Sequence, residues 1–151
     1  MTSSSGAAWS ELIYWSIAIA MLLAFAATLL AMQFDTRTLD GHTSVWTKPL
    51  KFELSLALHA ATIALASTLL SAPHRHSTVM AVVAVAFLAA CIAEMGYIII
   101  QGALGQHSHF KVDTPFHSFM YSVMAFAAVI IVGAAGAVGL AIMADSAFAG
   151  S

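Results

Sequence analysis

Predominantly apolar residues fill four blocks of the chain, 12–34, 49–71, 78–102 and 115–143, and short polar stretches separate them. Each block reaches the ~20 residues that a helix needs to cross a hydrocarbon core about 30 Å thick. The pattern therefore predicts an all-α protein, a transmembrane four-helix bundle forming one integral membrane domain over residues 1–151.

The block edges carry helix and interface signals. Trp9, Tyr14 and Trp15 gather at the start of the first span, where amphipathic rings favour the headgroup level, and Glu11 falls in its first turn. Both features read as anchoring. Asp40-Gly41 marks a turn in the longest polar connection. Pro49 suits the first turn of the second span, with Lys48 and Lys51 able to extend toward water beside Trp46 and Phe52. The 71–77 connection, with His74-Arg75-His76, is short enough to make the second and third spans antiparallel neighbours. Thr114-Pro115 reads as a cap and first helical position, and Gly133, Gly136 and Gly139 give the fourth span a small-residue surface.

Composition strengthens the membrane reading. The chain is 61% hydrophobic and 8% charged, whereas about 25% of residues are charged in ordinary soluble domains. Its mean hydropathy is +0.92. A formal charge of −2 with no run of Lys or Arg excludes nucleic-acid binding. The one cysteine, Cys91, allows no intramolecular disulfide and reads as a small core residue. The first eight residues lack the cationic start of a signal peptide. Arg37, Lys48, Lys51 and Lys111 lie on one side of the four-span arrangement against Arg75 on the other, which places loops 35–48 and 103–114 in the cytoplasm.

The chemistry concentrates where polar groups enter the spans. A carboxylate near the centre of a spanning helix costs about 2.5 kcal/mol or more, so Glu94 is expected to face protein. Phe52, Ser55, His59 and Thr62 share one face of the second span; Glu94, Tyr97 and Gln101 share one face of the third; His117 and Tyr121 are one turn apart in the fourth. A bundle that hides all three stripes from lipid brings them together. Measured from the same side, His59 lies about 15 Å deep, Glu94 about 10 Å and His117 about 3 Å, so Glu94 can reach either imidazole while the two imidazoles match poorly. That mismatch favours a transition metal over a bis-histidine haem.

The expected site takes His59, Glu94, His109 and His117 as metal ligands, with His109 arriving from the loop, Gln101 and Tyr97 orienting Glu94, and Tyr97, Gln101 and Tyr121 facing the bound group. The same residues admit other readings. His59 and Glu94 can act as interhelical hydrogen-bonding glue, His107 and His109 as an exposed loop pair, and Met95, Met120 and Met124 as packing. At the level of function the choices are a redox-related metal or cofactor protein, a proton-coupled small transporter, and a non-catalytic subunit of a larger membrane complex or homo-oligomer.

Lys48-Pro49-Leu50-Lys51-Phe52, followed by Glu94, Gln101, Ser108-His109-Phe110 and Thr114-Pro115, resembles small four-span bacterial membrane proteins from Asp35 onward. The resemblance implies a bacterial inner-membrane setting and carries no activity with it. Four crossings return a chain to its starting side. Reporters fused at the two ends should therefore report the same side of the membrane, and opposite sides would remove the four-span arrangement.

Overall fold

The structure, a computed structural model, describes residues 8–39, 41–105 and 114–149. Among them, the order of elements is α1 (Trp9–Phe34), β1 (Thr38–Leu39), β2 (Thr43–Ser44), α2 (Thr47–Ser67), α3 (Ala72–Arg75), α4 (Thr78–Ala103) and α5 (Pro115–Ala149). α1, α2, α4 and most of α5 are long and apolar enough to cross a membrane, and the chain is an all-helical integral membrane protein. Large side chains such as Phe34, Leu23, Leu58, Phe126 and Val129 are exposed around the bundle, as a lipid-facing surface requires.

α2 and α4 pack against each other, and each also packs against both α1 and α5. The centre is built from small residues: Ala57, Ala60 and Ala64 of α2 and Ala84 of α4 are almost wholly buried. Their size lets the helix axes approach, which supplies the dispersion contact that replaces the hydrophobic effect inside a bilayer. Phe87 and Ile63 fill the remaining space, and Tyr14 meets Phe87 edge-on with ring centres 5.4 Å apart.

Five of the span boundaries differ from those read in the sequence, the end of α4 by a single residue. α1 begins at Trp9, three residues early. α2 begins at Thr47 and stops at Ser67, four residues short of the expected 71. Ser67 Oγ donates to Ile63 O and Thr68 Oγ1 to Leu65 O. Side-chain hydroxyls thus bond the carbonyls of the last turn, and Pro73 instead opens the separate short helix α3 inside the expected loop. α5 continues past Met143 to Ala149. The starts of α4 and α5 follow from capping: Ser77 Oγ accepts from Met80 N–H, and Thr114 Oγ1 accepts from His117 N–H.

Polar latches close both ends of the bundle. The first connection is a small antiparallel hairpin, β1 with β2, turning at Gly41 with φ of 76°. Asp35 accepts from Arg37 Nε (2.9 Å) and Nη2 (2.7 Å) and from Trp46 Nε1 (2.8 Å). Arg37 Nη1 then donates to Ala103 O at 3.0 Å, satisfying a carbonyl left open at the end of α4. Beside it, a Cβ on Gly102 would stand 3.1 Å from Val45 O and 3.3 Å from Pro49 Cγ, so the absent side chain lets α4 meet the start of α2. At the opposite end, Asp145 of α5 accepts from Ser71 N–H and from Ser71 Oγ (2.8 Å) and stands 2.9 Å from His74 Nδ1. Glu11 of α1, buried, pairs with Arg75 of α3.

The Arg37 and Trp46 donors hold the Asp35 carboxyl well below the usual carboxylate range. A depressed folded-state pKa contributes stability above the unfolded value, near pH 4, and that contribution is lost as pH falls further. Asp35→Asn should therefore lower the detergent-solubilised melting temperature at pH 7, and the difference from the parent should shrink progressively below about pH 4. A gap that stays constant with pH would show that the charge on Asp35 is not what holds the latch.

Candidate functional site

α2 and α5 leave a cavity of about 210 Å³ along their seam, floored by α4. Phe52, Ser55, Leu56 and His59 of α2, Glu94 of α4, and Ala128, Ile131 and Val132 of α5 line it. Two of the three polar stripes thus meet, with His59 and Glu94 facing one space. His59 lies 12 residues into α2, about 18 Å, and Glu94 nine residues from the end of α4, about 14 Å, so the cavity sits near the middle of the membrane.

His59 is half-buried. Its Nε2 is 3.0 Å from Ile131 O, and because a carbonyl only accepts, Nε2 must carry the proton. The ring also stacks obliquely near Phe87, with centres 5.9 Å apart. Nδ1 has no hydrogen-bond partner among the described residues, which leaves it available as an acceptor. This bond to α5 is the interhelical role considered for His59, and it leaves half of the imidazole's capacity unused.

Glu94 is 4% exposed and makes no hydrogen bond among the described residues. Its surroundings are electrostatic. Lys48, at the start of α2 with its Nζ 5.8 Å from the Phe52 ring centre, supplies the opposing charge that acts on it. Tyr97 and Gln101 do not orient Glu94 as expected. Gln101 Nε2 donates to Tyr97 Oη at 3.1 Å, so two residues one turn apart on α4 bond each other and leave the carboxyl to the cavity.

The fourth-span residues do not join this site. His117 precedes Ile131, the level of His59, by 14 residues, about 21 Å along α5. Its backbone N–H engages the Thr114 cap, its ring lies 5.9 Å from that of Phe116, and Tyr121 is 38% exposed. The expectation that all three stripes converge is corrected by helix depth: α5 starts farther out than α2, so its first turn stays at the loop level. His107 and His109 lie outside the described residues. Among the described residues, no three His, Cys, Asp or Glu side chains gather as a metal-holding group.

A second intramembrane carboxyl, placed by its position about 6 Å into the second span, has no role in the expected site. Glu53 is 1% exposed and belongs to the buried face of α2 with Pro49, Leu56, Ala60 and Ile63. Thr28 Oγ1 of α1 donates to Glu53 Oε1 at 2.8 Å, while Oε2 is buried without a partner among the described residues. The i, i+3, i+7, i+10 spacing that joined Phe52 to Thr62 drew attention to the adjacent face. The buried small-residue run from Ala57 to Ala64 was the available signal for Glu53.

Comparison with known protein families, characterised proteins and solved structures returns no match for this chain. Its chemistry is read from its own geometry.

The two carboxyls separate by their partners. Thr28→Val leaves Glu53 Oε1 without its donor and should cost about 1–3 kcal/mol of stability, whereas Thr28→Val with Glu53→Met, which removes both polar partners, should restore most of the loss. Thermal unfolding of the two single variants and the double variant in one detergent checks this. Additive losses would show that the two side chains do not act as a pair.

Proposed function

We propose that the protein binds and releases protons inside the membrane through Glu94 and His59, as a proton-coupled small transporter does. One observation carries the reading: a carboxyl group that is 4% exposed shares a cavity with an imidazole and has no hydrogen-bond partner among the described residues. A polar group placed at that depth without a structural partner is costly, and in membrane proteins such groups mark ion and proton routes. The cavity has room for several waters at about 30 Å³ each and is smaller than the roughly 300–1,000 Å³ of organic-ligand pockets.

The chemistry is a reversible transfer. The O–H bond of the Glu94 carboxyl breaks, a bridging water passes the proton on, and an N–H bond forms at His59 Nδ1, leaving a carboxylate and an imidazolium. Nε2–H keeps its bond to Ile131 O throughout, so the ring changes charge without leaving α5.

Metal binding is the second reading, and the same two open donors favour it. An imidazole nitrogen and a carboxylate suit a transition metal, with further ligands to come from His109 or His107 or from water. The proposed setting is a bacterial inner membrane with loops 35–48 and 103–114 in the cytoplasm. Association into a homo-oligomer or a larger membrane complex fits the exposed Ser55 and Thr62 on α2 and Gly133 and Gly136 on α5, whose missing side chains would meet nothing within 4 Å.

Proton flux into liposomes containing the protein, driven by an imposed potential and read by an entrapped pH dye, tests the proposal. The parent should conduct, and Glu94→Gln and His59→Gln should each lose at least about tenfold with unchanged helical content; the glutamine at 59 can still donate to Ile131 O. Flux equal to that of empty liposomes, or parental flux in both variants, would overturn the proton reading. Stoichiometric metal in the parent that both variants lose would put the metal reading in its place.

A further inference from the structure

We infer that the α1–α4 face holds one anionic phospholipid, with its acyl chain in an apolar groove and its phosphate at Arg75. Two adjoining cavities away from the His59–Glu94 site carry the inference. The first is a groove of about 500 Å³ between α1 and α4, walled by Leu12, Ser16, Met21, Cys91, Met95 and Gly96 among others. From Trp9 to Met21 it follows twelve residues of helix, about 18 Å, close to the ~15 Å depth of one leaflet's hydrocarbon. The second, about 230 Å³, has polar side chains, Ser10, Arg75, Ser77 and Thr78, set between the apolar walls of Trp9 and Ala81, with His76 at its exposed edge.

Trp9 lines both cavities and is 79% exposed. An indole at that junction marks the headgroup level. The two spaces therefore run on from each other across the interface, polar end outward and apolar end toward the midplane, which is the shape of an amphiphile. A purely apolar solute would leave the polar cavity unused, and a helix of another chain would bring backbone rather than charge to it.

The headgroup's charge follows from the lining. The polar cavity contains a guanidinium and no carboxylate. Glu11, which does not line it, accepts from Arg75 Nε and Nη2. Two of the five guanidinium N–H donors are thereby used and three remain, in a planar fork suited to phosphate oxygens. Glu11 fixes the guanidinium, and the serine and threonine hydroxyls add donors around it. Small residues on the groove walls, Ser16 and Ala20 on α1 and Cys91 and Gly96 on α4, leave the width for a methylene chain.

The test uses delipidated protein in detergent, titrated with phosphatidylglycerol or phosphatidylcholine of identical tails and read by native mass spectrometry. One phosphatidylglycerol should be retained, at least tenfold more tightly than phosphatidylcholine. Gly96→Leu adds bulk to a groove wall at a position where a Cβ meets nothing within 4 Å. It should weaken both lipids at least tenfold while leaving helical content and melting temperature near parental. Arg75→Lys keeps a positive charge for Glu11 but loses the fork, and should bring the two headgroups to within about threefold of each other. Equal retention of both lipids by the parent, parental retention in Gly96→Leu, or a dimer that holds no lipid would each overturn the inference.

Discussion

Hydrocarbon offers no hydrogen-bond partner, so a side-chain carboxyl within the bundle's length must find its company inside the protein. Glu11, Glu53 and Glu94 are each less than 5% exposed, and the fold treats them in three ways. Glu11 takes a full charge partner in Arg75. Glu53 takes one hydroxyl, from Thr28. Glu94 takes no hydrogen bond among the described residues and borders a cavity. The placement of the helices follows from these demands as much as from apolar packing: Thr28 ties α1 to α2, Arg75 ties the α2–α4 connection to α1, and the Glu94 cavity keeps α2 and α5 from closing fully along their length.

The latches and the packed centre divide the mechanical work. Asp35, Arg37 and Trp46 fasten the first connection to the end of α4, while Asp145, Ser71 and His74 fasten α5 to the opposite turn. Between the ends, the small residues of α2 and α4 hold the axes together by close contact. The α2–α5 seam has neither advantage at its middle, where His59 to Ile131 O is the hydrogen bond that crosses it among the described residues. A seam latched at its Ser71–Asp145 end and crossed at its middle by one hydrogen bond can admit water or a small guest there, and Glu94, without a hydrogen-bond partner among the described residues, borders that place.

Much of this was legible in the residues. Block length and hydropathy disclosed the four spans, because a bilayer's thickness sets helix length regardless of packing detail. Thr114-Pro115 marked a true helix start, and the depths of His59 and Glu94 were close enough to suggest the space they share. What failed depended on rotation and offset between helices. A stripe on a helical wheel says which residues share a face but not which neighbour that face meets, so Tyr97 and Gln101 were expected to serve Glu94 when they satisfy each other. His117 fell outside because α5 begins farther out than α2, an offset that no pattern within the span encodes. Glu53 was given no role because the residues that share its buried face, Pro49, Leu56, Ala57, Ala60, Ile63 and Ala64, are apolar and form no polar stripe with it.

The contrast between Glu53 and Glu94 bears on why the second should be functional. A buried carboxyl retained for structure is expected to hold something, and Glu53 does: remove it and Thr28 loses its acceptor. Glu94 costs the same desolvation and returns no hydrogen bond within the described protein, so for stability alone an apolar residue of similar volume would serve α4 better. Local choices that disagree with the stability of the whole concentrate at functional sites. Glu94 is such a choice, and the imidazole across the cavity from it, with one nitrogen fixed to α5 and the other open, has the complementary capacity to accept what a carboxyl group can give.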